Sequence, residues 1–471
     1  MKRVAVIGAG PAGLTAALEL CRQGCDVDLY EASPHVGGMA RSFDLWGVPV
    51  DLGPHRFFTR DPRINHFWLE LAGDDFEMVH RLTRIHYRGR FYDYPLRASN
   101  ALRNLGWGEA MRCGGSYLKQ KALGVFPGTG PGNFEEWVVS AFGRRLYELF
   151  FRDYSEKLWG IPCRDLDIDF AAQRIQRFSL GRALLAAFGW ERDRHKTLTG
   201  TFAHPLRGAG IIYERMAERI LAGGGRIHRN TPVTRIARSG KGVVLPDGTA
   251  HDCDHLVSTM PLTQLCRCLP GLPEAVIGSL DRLRYRNTLL VYLRVAHDDL
   301  FPDQWVYVQT PELRLGRITN FRNWPSGKHD PSGSSILALE YWCDPAGDLW
   351  TCSDPALIAL GEGELALTGL LRGAQVLDGH VVRLPSCYPV YRKGYRQWLQ
   401  PIVDFLRRDY PAIHAIGRYG AFKYNNQDHS ILMGLLAAEN ITTGASHDLW
   451  AINTDYGVYQ EGPAPSVTPT R

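Results

Sequence analysis

The first thirty residues alternate between strand-like apolar runs and a glycine-rich turn. Val4–Ile7 is a continuous apolar run, and a second strand-like run covers Val27–Tyr30. Between them, the apolar residues of Leu14–Leu20 recur at helical spacing, three and four positions apart. Short apolar runs bounded by turn residues favour buried strands, so this segment predicts a strand–helix–strand unit.

Residues 60–200 follow a different pattern, with mainly helical periodicity and many aromatic side chains. In Phe134–Val139 and Tyr147–Phe151, apolar residues again recur three and four apart. We therefore expect this stretch to be mostly helical.

The remainder of the chain returns to mixed helix and strand patterns. Ile211–Ala222 predicts a helix that ends at three consecutive glycines, Gly223–Gly225. Strands are predicted at 226–228, 231–236, 242–245 and 255–259, with a turn at 246–248. Residues 285–345 alternate like antiparallel strands, and residues 415–440 predict a last strand, loop and helix.

These elements predict a mixed α/β fold in which a Rossmann-like nucleotide-binding domain is discontinuous. We assign 1–60, 205–265 and 410–455 to that domain, and 61–204 and 266–409 to an inserted helical and antiparallel-sheet substrate domain. Residues 456–471 are polar and proline-rich, and we expect them to be disordered. A pocket between two domains is a common place for chemistry.

Composition and charge limit the function classes. Among 471 residues, 45% are apolar and the net charge is +5 with no basic block, so we expect no nucleic-acid partner. No apolar stretch reaches the length of a transmembrane helix, and residue 1 leads directly into a predicted core strand, so we expect neither a transmembrane helix nor a signal peptide. The ten cysteines include no C-x-x-C pair and no zinc-ligand spacing. We expect a cytoplasmic, metal-free protein with a small-molecule substrate.

The first turn carries the strongest chemical signal. It has the form G-x-G-x-x-G, with Gly8, Gly10 and Gly13 around Pro11 and Ala12. In such a turn the first glycine permits the bend, the second admits a pyrophosphate, and the third lets helix and strand pack closely. Glu31 follows about 20 residues later, where a carboxylate binds a ribose hydroxyl.

A second glycine element resembles a known class of flavoproteins. Gly37, Gly38, Met39 and Arg41 lie just behind Glu31, as in the FAD-binding amine-oxidase and protoporphyrinogen-oxidase class. The resemblance implies FAD as the cofactor and a FAD-binding domain of the glutathione-reductase type. In that role the glycines let backbone approach the pyrophosphate, and Arg41 adds positive charge.

Further motifs resemble UDP-galactopyranose mutases. Gly53-Pro54-His55-Arg56-Phe57-Phe58-Thr59 is similar to the G-P-H-x-F-x-T segment that lies beside the isoalloxazine ring in that family. The resemblance implies cofactor contacts from Gly53 and Pro54, and a catalytic position for His55 near the reactive nitrogen. Tyr154–Trp159 is similar to the mutase run whose tryptophan contacts the uracil and ribose, which implies a substrate role for Trp159.

The most extended similarity lies near the C-terminus. Residues 417–431 resemble the mutase segment that binds flavin ribityl and pyrophosphate atoms at a helix start. The resemblance assigns cofactor contacts to Gly417, Arg418, Asn426, Gln427, Asp428 and Ser430. Val233 and Met260 occupy places where such flavoproteins hold adenine through backbone contacts; an ordinary buried strand is an equal alternative.

Mutases also hold the sugar diphosphate with two arginines. Tyr285-Arg286-Asn287 resembles one of those sites, which makes Arg286 a candidate, and the other is expected at Arg174 or Arg177. A planar guanidinium suits a diphosphate because its donors form a fork.

The sequence also departs from the mutase pattern. Phe422 replaces a tyrosine, Asn426-Gln427 replaces Asp-Met, and extra residues lie around 100–130 and 300–390. Three functions therefore stay open. One is an enzyme acting on a nucleotide-linked or otherwise glycosylated substrate, as in mutase-like ring isomerisation through reduced flavin N5. Another is an FAD-dependent oxidase, dehydrogenase or desaturase of an amine, alcohol or polyene in secondary metabolism. The third is a flavin-binding protein without turnover.

Overall fold

The computed structural model describes residues 1–94, 98–123, 132–170, 200–328 and 330–453. Two of the predicted arginines, Arg174 and Arg177, and the tail from residue 456 lie outside these ranges. The strands are β1 (Arg3–Ile7), β2 (Asp26–Tyr30), β3 (Ser42–Leu45), β4 (Val48–Asp51), β5 (Phe76–His80), β6 (Thr83–Tyr87), β7 (Arg90–Asp93), β8 (Thr201–Pro205), β9 (Arg226–His228), β10 (Arg235–Ile236), β11 (Gly242–Val244), β12 (Ala250–Asp252), β13 (His255–Ser258), β14 (Tyr285–Val295), β15 (Trp305–Val308), β16 (Arg317–Asn320), β17 (Ser335–Cys343), β18 (Val376–Pro389) and β19 (Ile413–Ala415).

Helices alternate with these strands along much of the chain. They are α1 (Pro11–Arg22), α2 (Pro62–Ala72), α3 (Ala98–Leu105), α4 (Trp107–Ala122), α5 (Phe134–Phe142), α6 (Arg144–Phe150), α7 (Arg152–Trp159), α8 (Ile211–Ala222), α9 (Leu262–Arg267), α10 (Glu274–Leu280), α11 (Pro325–Lys328), α12 (Asp348–Thr351), α13 (Asp354–Leu367), α14 (Arg396–Asp409), α15 (Gly417–Gly420) and α16 (Gln427–Thr443). Short 3-10 turns cover Gly38–Ala40, Cys163–Asp165, Phe321–Asn323 and Leu449–Ala451.

A five-stranded parallel sheet draws its strands from the beginning, middle and end of the chain. The strand order is β19-β13-β1-β2-β9, and every neighbouring pair is parallel. In β1, Val4–Ile7 is buried because the sheet has both faces covered. Helices α1 and α16 pack closely, since a Cβ on Gly434 would lie 2.6 Å from the Ala12 carbonyl oxygen.

A seven-stranded sheet forms the second layer, in the order β18-β14-β17-β16-β15-β6-β7. Its central strand β14 is buried on both faces. Leu289, Val291 and Leu293 pack into the core that includes α13, while the alternate residues Leu290 and Tyr292 belong to the larger core on the other face. This period of two is what a strand between two apolar layers requires.

The mixed α/β class predicted from the sequence is confirmed, and helix α8 has the predicted bounds. Three expectations are corrected. Strands β5–β7 interrupt the region expected to be mostly helical, and β6 pairs with β15 in parallel within the sheet expected to be antiparallel. The predicted strand at 231–236 is reduced to β10, and Val233 lies just before it. The division into two domains stays a prediction.

Candidate active site

The first glycine turn closes tightly around the end of β1. Gly8 has φ +95°, and a Cβ there would lie 2.2 Å from Thr259 Oγ1. A Cβ on Gly13 would lie 1.9 Å from the Gly8 carbonyl oxygen, so the helix can approach the turn only because residue 13 is glycine. Helix α1 begins at Pro11 with no side-chain cap and no acidic residue in its first turn. Its positive end is therefore available to an anion.

The second glycine element docks directly on the first. The Gly37 N–H donates to the Ala9 carbonyl (2.8 Å). Gly37 and Gly38 have φ +94° and +53°, and a Cβ on Gly38 would lie 3.0 Å from Gly10 Cα. Since a Cβ on Gly10 would meet no protein atom closer than Gly38 Cα at 4.0 Å, the two glycines face each other across a narrow cradle. Met39 and half-buried Arg41 follow, and Met39 Sδ lies 3.9 Å from Cys387 Sγ.

Glu31 fixes the end of β2 beside this cradle. The Ala9 N–H donates to Glu31 Oε2 (2.7 Å), and the Ser33 N–H donates to Oε1 (2.8 Å). The Thr231 N–H in turn donates to the Glu31 carbonyl (2.8 Å), which brings the segment before Val233 to the same edge. These contacts hold the carboxylate at the sheet edge where the ribose is expected.

Residues 417–420 pack against the start of α1 and the end of β13. Gly417 has φ +80°, and its Cβ position lies 3.0 Å from Ala12 Cβ. A Cβ on Gly420 would lie 2.7 Å from the Ser258 carbonyl oxygen and 3.5 Å from that of Met260. The structure therefore assembles the predicted glycine motifs, which are far apart in sequence, around one helix start.

The start of α16 supplies the remaining predicted polar groups. Asn426 caps the helix reciprocally with His429, and Ser430 Oγ donates to the Asn426 carbonyl (3.1 Å). Gln427 Oε1 accepts from the Tyr213 hydroxyl (2.5 Å), while Asp428 is buried. Helix α16 begins at Gln427 because Asn426 is its cap.

His55 lies at the centre of a group of charged side chains. Burial lowers its pKa from 6.5 to about 4; Asp51 opposes this shift, and Arg317 and Arg418 reinforce it. Its Nδ1 is buried and has no hydrogen-bond partner among the described residues. Because buried polar atoms are normally paired, this nitrogen points to a group supplied by a ligand.

The lowered pKa predicts how stability depends on pH. Between pH 6.5 and about 4 the unfolded chain binds a proton at this imidazole that the folded chain does not. His55 therefore contributes stability that is fully present above pH 6.5 and is lost as the pH falls. We expect His55→Gln to flatten this part of the thermal-midpoint profile of the protein, measured by calorimetry. Parallel profiles for variant and wild type would contradict a neutral His55.

A buried ion pair supports the loop that carries His55. Arg317 Nη2 lies 2.6 Å from both carboxylate oxygens of Glu340, and Nε donates to Oε1 (2.9 Å). Burial opposes the charge on Arg317, but Glu340 together with the neighbouring tyrosines outweighs it and holds the pKa of Arg317 well above its ordinary value. A Cβ on Gly53 would lie 2.7 Å from Glu340 Oε1, so the Gly53-Pro54-His55 turn rests directly on this carboxylate.

An aromatic wall, Tyr94, Tyr154, Tyr307 and Trp342, lies next to the ion pair. Ring centroids are 5.1 Å apart for Tyr94–Tyr307, 5.8 Å for Tyr154–Tyr307 and 5.6 Å for Tyr154–Trp342. Arg317 interacts electrostatically with Tyr307 and Tyr154, which places the wall on the His55 side of the sheet.

Arg81 borders this wall, and Arg56 lies near Arg81. The Arg81 guanidinium lies 5.9 Å from the centre of the Tyr94 ring. Burial lowers the pKa of Arg81, and the positive charge of Arg56 lowers it further. Arg81 Nε and Arg56 Nη1 are buried without a hydrogen-bond partner among the described residues. Sequence reasoning missed both arginines, although Arg56 lies within the quoted motif.

Two predicted substrate residues, Trp159 and Arg286, are buried in the protein. Trp159 is 1% exposed and packs edge-on against Phe170, Tyr388 and Tyr424. Arg286 donates to the carbonyls of Leu158, Lys157 and Trp342 and pairs with Asp344 (2.6 Å). Trp159 Nε1 is buried without a hydrogen-bond partner among the described residues, whereas the Arg286 guanidinium is engaged by protein groups. The substrate roles of both residues stay predictions.

Arg418 is also held by the protein. It donates to the Cys387 and Asn425 carbonyls, and its guanidinium lies 4.6 Å from the Tyr388 ring and 4.4 Å from the Tyr424 ring. It therefore contributes charge near His55 from a fixed position.

Two apposed glycine loops, an open helix start and a carboxylate after the second strand define a dinucleotide-binding protein. Residues 11–442 match the family model of flavin containing amine oxidoreductases. The chain belongs to this family, it is an enzyme, and its cofactor is FAD. The glycine cradle fits this cofactor because it leaves room for a pyrophosphate. His55 Nδ1 fits it because this buried nitrogen has no hydrogen-bond partner among the described residues.

Three known proteins show how far the similarity extends. The crystal structure of a reduced UDP-galactopyranose mutase has a TM-score of 0.84 and 26% identity, covering 96% of this chain and 98% of that one. A probable UDP-galactopyranose mutase of Klebsiella pneumoniae is 27% identical over 189 residues, 38% of this chain and 46% of that protein. Hydroxyneurosporene desaturase of Cereibacter sphaeroides is 27% identical over 334 residues, 60% of this chain and 61% of that protein. The chain thus spans less than two thirds of the length of these two curated relatives.

No helix in the described ranges is long and apolar enough to cross a bilayer. Within the same residues, no cluster of three or more His, Cys, Asp or Glu side chains is arranged to hold a metal ion.

Proposed function

We propose that this FAD enzyme acts on a nucleotide-linked sugar and rearranges its ring without net oxidation, as UDP-galactopyranose mutases do. The full-length structural similarity to a reduced mutase supports this proposal. The observation that carries it is the pair of unpartnered, buried guanidinium nitrogens on Arg56 and Arg81.

Those nitrogens indicate the charge of the substrate. A buried donor left unpaired is costly, and a guanidinium beside a second guanidinium calls for an anion. A phosphate oxygen satisfies both requirements, whereas a polyene or a neutral amine satisfies neither. The tyrosines of the aromatic wall add hydroxyl groups and flat surfaces, which suit a sugar and a base.

The chain's own residues have separable roles in this proposal. The glycine cradle and the start of α1 hold the pyrophosphate of FAD, and Glu31 holds its ribose. Reduced FAD, when bound, supplies the nucleophile for ring isomerisation. His55 is neutral and presents Nδ1 for a hydrogen bond, while Arg56 and Arg81 bind phosphate oxygens. Arg174 and Arg177 are kept as candidates for further phosphate contacts.

A second candidate function is oxidation or desaturation of a less polar substrate. The 334-residue similarity to hydroxyneurosporene desaturase favours it. The engagement of the Arg286 guanidinium by backbone carbonyls and Asp344 favours it as well, because this guanidinium is then not offered to a diphosphate. In this candidate, substrate reduces oxidised FAD directly and no added reductant is needed.

An assay of the holoenzyme separates the two candidates. Dithionite-reduced enzyme should convert UDP-galactopyranose to its furanose isomer, detected by chromatography. Failure to form product together with failure to bind UDP would overturn the mutase proposal. Loss of the oxidised flavin absorbance on anaerobic mixing with a polyene, amine or alcohol would establish the second candidate.

A variant tests the arginine pair within the same assay. We expect Arg81→Met to raise the KM for the nucleotide sugar roughly 10- to 100-fold with little change in kcat, because a charge-assisted hydrogen bond to phosphate is lost. Arg88→Met is the matched control. Arg88 also stacks on a tyrosine, 5.2 Å from Tyr87, but it is exposed at the other end of β6. Equal KM values for the two variants would exclude a phosphate contact at Arg81.

A further inference from the structure

Helix α4 carries a row of large apolar side chains that face outward. Trp107 is 81% exposed, Met111 75% and Leu118 67%. At 3.6 residues per turn these three positions fall within about 40° of one another around the helix axis. We call them the apolar stripe. Three large exposed apolar side chains on one face of a helix, with only Gly114 and Gly115 between Met111 and Leu118 on that face, differ from the scattered exposed apolar residues that any protein surface has.

The opposite face of α4 fixes the helix to the protein. Cys113 is buried there, and a Cβ on Gly143 would lie 2.8 Å from the Tyr117 backbone nitrogen. Ser116 Oγ accepts from the Arg145 N–H (3.1 Å). One face of α4 is therefore packed against the protein at Gly143 and Arg145. The stripe is a second, solvent-exposed apolar face of the same helix.

Cations border the stripe on both sides. Around the helix axis Lys121 lies about 60° from the centre of the stripe on one side, and Lys119 and Arg112 lie about 100–120° from it on the other. The acidic residue of this helix, Glu109, is neutralised by ion pairs with Arg145 and Arg112. Neither Lys119 nor Lys121 has a carboxylate partner within the described part of the chain, and Lys121 lies 5.5 Å from the Tyr117 ring. Helix α4 thus carries more positive than negative charge beside the stripe.

We propose that α4 docks this enzyme on the surface of an anionic lipid bilayer. Tryptophan favours the boundary between headgroups and acyl chains, and methionine and leucine favour the apolar layer beneath it. Lysine and arginine extend from such a face to lipid phosphates, which suits cations placed on either side of an apolar row. The helix lies flat and does not span the membrane. This inference does not depend on the proposed substrate.

Vesicle flotation of the FAD-loaded full chain tests the proposal. Wild type should float with vesicles of phosphatidylcholine and phosphatidylglycerol, float less with phosphatidylcholine alone, and detach as salt is raised. The double variant Trp107→Ser/Leu118→Ser should lower the partition coefficient at least about tenfold. Lys119→Glu/Lys121→Glu should remove the preference for the anionic vesicles.

A control variant separates stripe-specific binding from general hydrophobicity. Leu367 is 73% exposed at the end of α13, so Leu367→Ser removes an equally exposed leucine and should leave flotation unchanged. Flavin absorbance and thermal midpoints confirm that each variant is folded. The proposal is overturned if wild type fails to float with anionic vesicles, or if the stripe variant floats like the control. It is also overturned if the stripe variant turns a dimer into a monomer by light scattering, which would assign the stripe to a second copy of the chain.

Discussion

Gly10→Ala should weaken FAD binding at least about tenfold while leaving the apo protein as stable as wild type. The added Cβ meets no protein atom closer than 4.0 Å, so the fold has room for it. The room is the cradle between Gly10 and Gly38, where the pyrophosphate is expected to approach the backbone. A methyl group at this position would occupy space needed by the cofactor without clashing with any protein atom.

Gly13→Ala should instead lower the stability of the apo protein. Its Cβ would lie 1.9 Å from the Gly8 carbonyl oxygen, a backbone atom that cannot turn away. Separation of α1 from β1 would then destabilise the apo protein by about 1–3 kcal/mol or more, as overpacking does. Calorimetry of the apo proteins and fluorescence titration with FAD measure the two effects.

A third alanine variant serves as the control. Gly363 lies on α13 with no atom within 4 Å of its Cβ position, so Gly363→Ala should change neither FAD affinity nor the fold. Unchanged FAD affinity in Gly10→Ala would show that the pyrophosphate does not enter this cradle.

The cofactor could be predicted from the sequence because its signals are local. The spacing of Gly8, Gly10 and Gly13 and the carboxylate of Glu31 each depend on a turn or strand end within a few residues. The structure adds that the glycine elements meet, with Gly38 against Gly10 and Gly417 against Ala12. Similarity to a flavoprotein class was needed to place the last element, since nothing in residues 1–40 indicates residue 417.

The substrate side stays a prediction because it depends on the tertiary environment of each side chain. Arg286 has the residue type that binds phosphate, yet Gly160 lets it approach so closely that it donates to the carbonyls near the end of α7 instead. The parallel pairing of β6 with β15 joins residues 83–86 to 305–308, a register that no local pattern fixes. Arg56 and Arg81 look like ordinary arginines until their burial is known.

The Arg317–Glu340 pair leads to the second large effect. Glu340→Gln should lower the free energy of unfolding by about 3–5 kcal/mol, because it leaves a buried guanidinium charge without its partner. Glu340 is 2% exposed and lies against Gly53, so we also expect the His55 turn to shift and FAD affinity to fall. Chemical denaturation and FAD titration measure these losses.

The double variant Arg317→Met/Glu340→Leu distinguishes the two consequences. Removing both charges and filling the space with apolar side chains should restore most of the stability, as replacements of buried ion pairs often do. It should not restore FAD affinity if Glu340 positions the Gly53 turn. Asp348→Asn is the matched control: it breaks a two-contact pair with Arg314 at 2.7 and 2.8 Å that lies on the surface and is screened by solvent, so its effect on unfolding should be much smaller. Equal losses in Glu340→Gln and Asp348→Asn would mean that burial does not set the strength of the Arg317–Glu340 pair.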